Sequence, residues 1–109
     1  MDGWRVEVLN EIVRTEIEAL PEDIRARLAH IIEMMTTVGP ERMRAPHVKP
    51  LRDKLWEMRM SGRDGIARAI YIAVRERRIV ILHAFVKKTQ KTPPQAVRLA
   101  LKRAKELKP

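Results

Sequence analysis

Ile66-Ala67-Arg68-Ala69-Ile70-Tyr71-Ile72-Ala73-Val74, then Arg75-Glu76-Arg77-Arg78, then Ile79-Val80-Ile81-Leu82-His83-Ala84-Phe85-Val86 stand in unbroken succession in this 109-residue chain. Two short apolar runs rich in β-branched residues, joined by four charged ones, read as two strands and a hairpin connection. The first run is apolar on both faces and so belongs in the centre of a sheet. Just upstream, Trp56, Met58 and Met60 alternate with Glu57 and Arg59, the period of a strand with one polar face. Ser61-Gly62-Arg63-Asp64-Gly65 is a strong turn signal between the two. Three consecutive strands with short links predict an antiparallel meander.

Outward from the meander the period changes. Trp4, Val6 and Val8 alternate with Arg5 and Glu7, which predicts a short first strand. Leu9, Ile12, Val13, Ile17 and Leu20 follow helical spacing, with Asn10 placed to cap the helix. Pro21-Glu22-Asp23 restarts a helix, with proline at its first position. Ile24, Leu28, Ile31, Ile32, Met35 and Val38 form its apolar stripe, and Gly39-Pro40 ends it. In the basic segment 41–53, Pro46 and Pro50 argue against regular structure. At the other end, Val97, Ala100, Leu101, Ala104 and Leu107 line one helical face, and Arg98, Lys102 and Lys105 another. The expected fold is a single α+β domain over 1–109: two N-terminal helices and one C-terminal helix on one face of a mostly antiparallel four-stranded sheet, in the order β-α-α-β-β-β-α.

Composition narrows the function. The chain has no cysteine, which excludes disulfides and thiolate metal sites. It begins without the basic-then-apolar pattern of a secretion signal, and no apolar run approaches the ~20 residues of a membrane span. The expectation is a soluble, cytoplasmic chain that engages no membrane. The net charge is +9 and is segregated. Residues 1–40 carry four basic and eight acidic side chains; residues 41–109 carry nineteen and six. A segregated basic face suits nucleic acid, an acidic protein or an anionic membrane.

Few constellations could carry chemistry. His30, His47 and His83 are spaced too irregularly for a metal motif, so no metal or other cofactor is expected. His30 lies off the apolar stripe of its helix and reads as exposed. Arg68 is anomalous: it shares strand parity with Ile66, Ile70, Ile72 and Val74. A guanidinium there is costly unless it is salt-bridged, for instance to a helix carboxylate, or reaches an open cleft, where its geometry suits a phosphate. The last strand runs into Lys87-Lys88-Thr89-Gln90-Lys91-Thr92-Pro93-Pro94. The three ammonium groups resist burial, so the strand delivers a cationic cluster to the surface. His83, Phe85 and Lys87 share parity on that strand, and His83 is either a hydrogen-bonded core histidine or a proton carrier.

Lys49-Pro50-Leu51 with Leu55-Trp56-Glu57-Met58-Arg59, Gly65-Ile66-Ala67-Arg68-Ala69-Ile70-Tyr71 and the block Leu82 to Pro93 resemble the phage-derived, HigB-type branch of the RelE/ParE toxin superfamily. The resemblance covers about residues 4–107, by motif in the second half and by pattern alone in the first forty residues. It implies a RelE-like domain and a ribosome-dependent endoribonuclease that cuts mRNA. It also implies a helix-turn-helix, HigA-like antitoxin as hetero-oligomeric partner. By position, it puts catalytic roles on Arg68, Lys87, Lys88 and Lys91, with His83 as alternative proton carrier. Lys49, Arg52, Lys54, Arg59, Arg63, Arg98 and Lys102 would then serve RNA and ribosome binding. Some relatives use a C-terminal tyrosine; this chain has none after Tyr71. Two other readings stay open on the same scaffold: a ParE-like inhibitor of DNA gyrase without nuclease activity, and a non-catalytic RNA-binding domain. The scarcity of aromatics argues against the last.

Overall fold

A computed structural model describes residues 3–107. Its elements are β1 (Arg5–Val8), α1 (Glu11–Glu18), α2 (Glu22–Val38), β2 (Val48–Pro50), β3 (Trp56–Gly62), β4 (Gly65–Val74), β5 (Arg78–Lys87) and α3 (Pro94–Ala104), with one 3-10 turn over Pro40–Arg42. Local chemistry sets the boundaries as expected. Asn10 caps α1, its Oδ1 accepting from Val13 N at 3.1 Å. Gly39 ends α2 at φ 86°, a conformation that favours glycine. Pro21 precedes the first helical residue instead of occupying it.

The sheet has five strands in the order β1-β5-β4-β3-β2. The meander β3-β4-β5 is antiparallel throughout, and β1 joins the outer edge of β5 in parallel. Two expectations need correction. A fifth strand, β2, forms where two prolines spoke against it, pairing Val48, Lys49 and Pro50 with Met58, Glu57 and Trp56. It is an edge strand, and at an edge the N–H that proline lacks is not missed.

The helices also do not share one face. On one side α1 and α2 bury Val13, Ile24, Leu28, Ile31 and Met35 against Met58, Met60, Ala67, Ala69 and Ile79. On the other, α3 lays Ala96, Val97 and Ala100 over Leu55, Ile70, Val80 and Leu82. The doubly apolar β4 demanded this, because burying both its faces requires a layer on each. α3 covers only part of its face. Beyond Ile70 that face carries Phe85, packed against the edge of the α3 cluster, and then Arg68 and Lys87, which bond to Gln90 of the 88–93 segment instead of meeting a helix.

The outer edge of β5 shows how unpaired backbone is satisfied. Its pairing with β1 stops at Ile81. Past that point Glu16 Oε1 accepts from Ala84 N at 3.1 Å, and Arg103 Nη1 donates to Leu82 O at 2.9 Å. Side chains from α1 and α3 thus replace the missing strand and tie both helices to the sheet.

Candidate nucleic-acid cleft

Arg68 stands on β4 opposite Arg59 of β3 and Phe85 of β5. It is only 2% exposed, and so is nearly dry. Its partner is Glu57, itself 1% exposed, with Arg68 Nε 3.4 Å from Glu57 Oε2. The salt bridge foreseen for Arg68 therefore exists, but it runs diagonally across the β3–β4 ladder and not to a helix. Glu57 Oε2 also lies 3.6 Å from Arg59 Nε, while Thr92 donates its hydroxyl proton to Oε1. One buried carboxylate thus balances two guanidiniums.

Lys87 completes the cluster. It is 6% exposed, which corrects the expectation that all three terminal lysines lie at the surface. Its Nζ donates to Gln90 O at 2.6 Å, so burial does not leave it unbonded. Burial pushes its pKa below the ordinary lysine value, and the Arg68 charge pushes the same way. Burial likewise lowers that of Arg68, with Arg59 adding to the effect and Glu57 opposing it.

Gln90 is the keystone of the outward side. Its Oε1 accepts from Arg68 Nη2 at 3.2 Å and from Arg59 Nη2 at 3.4 Å. A single acceptor oxygen is thus held between two guanidiniums, an arrangement that a phosphate oxygen satisfies equally well.

Two clefts adjoin this cluster and share Arg59 and Gln90 as a common wall. The first, about 380 Å³, lies along β3 beyond the reach of β2 and is lined by Arg27 and His30 of α2, His47, Arg59, Arg68 and Gln90. His47 is pinned there by its backbone, its carbonyl accepting from Arg59 N at 2.8 Å. The second, about 520 Å³, is lined by Lys49, Glu57, Arg59, Lys91, Thr92 and Val97, among others. Together they make a cationic track. Among the described residues, no group of histidines and carboxylates could hold a metal ion.

The structure gathers some of the predicted site residues and disperses others. Arg68, Lys87, Arg59, Lys49 and Lys91 sit in or beside the cluster. Lys88 is exposed at the end of β5. His83 keeps its predicted parity and stacks on Phe85 at 4.6 Å between centroids, but its Nδ1 lies 2.9 Å from Glu16 at the outer edge of β5. Arg103 holds the same carboxylate at 2.8 Å. His83 therefore lines neither cleft. Arg52 pairs with Asp53 at 3.7 Å, and Lys54 lines a groove by Arg75 and Leu107. Arg63 lies in the β3–β4 turn, its backbone bound to Asp23, and Arg98 and Lys102 are exposed on α3. None of these five lines either cleft.

Glu57, Gln90, His30, His47 and Arg27 were not foreseen. Glu57 shares the polar parity of β3 with Arg59, and only the β3–β4 register turns that parity toward Arg68.

Comparison with known proteins fits this architecture. The family model described as "Phage derived protein Gp49-like (DUF891)" matches residues 15–105. The chain belongs to the Gp49-like family. The fold of this Gp49-like chain is that of RelE. A double arginine-to-alanine mutant of E. coli toxin RelE in the free state superposes with a TM-score of 0.67 over 93% of this chain and 97% of that one, at 16% identity. The archaeal RelE-RelB complex from Pyrococcus horikoshii OT3 matches with a TM-score of 0.57 over 77% of this chain and 94% of that one, at 21% identity. No curated protein sequence matches the chain. No helix among the described residues is long and apolar enough to cross a membrane.

Proposed function

We propose that this Gp49-like protein is the toxin of a toxin–antitoxin pair, a ribosome-dependent endoribonuclease that cleaves mRNA by attack of the neighbouring 2′-hydroxyl. The observation that carries the reading is the Gln90 oxygen held between Arg68 and Arg59 over a buried glutamate. Rigid cations around one acceptor position suit a phosphorane, whose extra negative charge must be stabilised without reorganisation. Arg68 and Arg59 take that role once a phosphate oxygen displaces Gln90. Lys49 and Lys91 follow the RNA backbone along the second cleft. Glu57 fixes the guanidiniums, and Lys87 anchors the Gln90 segment through its carbonyl.

The partner in this reading is an antitoxin that brings acidic and apolar side chains to the basic surface, with the HigA-like helix-turn-helix class as the specific expectation. The site is expected to work in the cytoplasm, on translating ribosomes. The test is induced expression with 5′-end mapping of transcripts, comparing wild type with Arg68→Ala. Wild type is expected to produce new ends within translated regions and to stop growth, and Arg68→Ala to do neither. Gyrase-trapped DNA breaks with intact transcripts would replace the reading with that of a gyrase inhibitor.

A further inference from the structure

We propose that His30 and His47 carry the two protons of the cleavage, on the reading that the cleft is a ribonuclease site. The reaction needs one group to take the proton of the 2′-hydroxyl as its oxygen attacks phosphorus. It needs a second to give a proton to the 5′-oxygen as the phosphorus–oxygen bond breaks, leaving a 2′,3′-cyclic phosphate. The guanidiniums of Arg68 and Arg59 bind charge but do not exchange protons near neutrality. Lys87 is buried, with its Nζ already donating to Gln90 O at 2.6 Å. His83 is engaged by Glu16 at 2.9 Å and lines neither cleft.

The geometry leaves two groups with suitable chemistry in the Arg68 cleft. His30 comes from α2 and His47 from the segment before β2, so two independent elements present imidazoles to one cavity. His47 is half-buried and fixed by its backbone bond to Arg59, the residue paired with Arg68. His30 is solvent-exposed one helical turn from Arg27. The charged groups that line the cleft with the two histidines are Arg27 of α2, Arg59 of β3 and Arg68 of β4, and among the described residues no carboxylate lines it. Imidazole is the side chain whose ordinary titration falls between pH 5 and 8, as an acid–base pair working near neutrality requires.

The test measures single-turnover cleavage of mRNA on programmed ribosomes across pH, with wild type, His30→Gln and His47→Gln. Wild type is expected to show a bell-shaped profile with an acid limb and a base limb. Each substitution is expected to cost about a hundredfold or more and to remove one limb. A message with a 5′-bridging sulfur at the scissile linkage, whose thiolate leaves without a proton, is expected to restore the variant lacking the acid and not the other. Both variants must melt as wild type does; a loss of rate that tracks a loss of fold, with the limbs unmoved, overturns the inference. Cleavage within a few-fold of wild type in both variants also overturns it and returns proton transfer to a lysine. If wild type itself fails to cut, the ribonuclease reading falls, not this assignment alone.

Discussion

Replacing Glu57 with glutamine removes one charge and almost no volume, so it isolates the electrostatics of the buried cluster. In the wild type the carboxylate lies 3.4 Å from Arg68 Nε and 3.6 Å from Arg59 Nε. At an effective dielectric constant near 20, each contact is worth roughly 5 kcal/mol of gross attraction. Most of that only offsets the desolvation of the ions. Removing one partner of a buried pair nonetheless costs about 3–5 kcal/mol, because the other charge stays behind unpaired. Glutamine still offers an acceptor to Thr92 and to one guanidinium, and Arg59 is partly open to water, so the low end applies, about 3 kcal/mol. For a domain of this size that is a fall in Tm of roughly 12 °C, measurable by calorimetry or circular dichroism, with the fold retained. Orphaned cations should also recruit anions, so phosphate is expected to raise the Tm of Glu57→Gln more than that of wild type. A Glu57→Gln protein that melts within about 2 °C of wild type, with no added response to phosphate, would refute the claim that this carboxylate holds the cluster together.

Gln90→Ala removes the side-chain acceptor of Arg68 and Arg59 while leaving the bond from Arg68 Nη2 to Gln90 O; a hydrogen bond to a charged group is worth about 1.5–3 kcal/mol, so an oligonucleotide should bind roughly tenfold tighter in a fluorescence titration. The Glu16 carboxyl is raised by burial but held below the ordinary 4.5 overall by hydrogen bonds from Arg103, His83 and the Ala84 amide. Because its folded-state pKa is depressed, its stabilisation is full above pH 4.5 and lost as pH falls below it, so Glu16→Gln should flatten the acid limb of the stability profile measured by urea unfolding. Glu76 and Arg77 form the tight β4–β5 turn at φ 65° and 57°, where a non-glycine residue is strained. Glu76→Asn, a residue that tolerates this conformation, should raise stability by about 0.5–1 kcal/mol in the same assay.

The meander and α2 were legible because their periods are long and their stops are chemical: Gly39, the Gly62–Gly65 turn and the charged link after Val74. β2 was not, since three residues with a proline carry no period and the strand exists only because β3 offers an edge. The anomaly of Arg68 was visible from parity alone. Its resolution was hidden, because Glu57 alternates with methionines just as a solvated residue would. Only register, which sets Arg59 against Arg68, reveals that this polar face turns inward. Lys87 misled for a related reason. Burial of an ammonium depends on a backbone carbonyl three residues on, and no pattern encodes that contact. His83 kept its parity yet lies outside both clefts, because its neighbour at the outer edge of β5 is Glu16, sixty-seven residues away in sequence.

The most direct measurement of the central claim, that Arg68 stabilises a phosphate undergoing cleavage, is single-turnover cleavage of mRNA bound to programmed ribosomes by wild type, Arg68→Ala and Arg68→Lys. Loss of one preorganised donor to a transition-state oxyanion typically costs about 10²–10³-fold in rate. Arg68→Ala is expected to fall by at least that much, with Arg68→Lys recovering little because an ammonium cannot reproduce the planar fork. A folded Arg68→Ala that cuts at the wild-type rate would contradict the account.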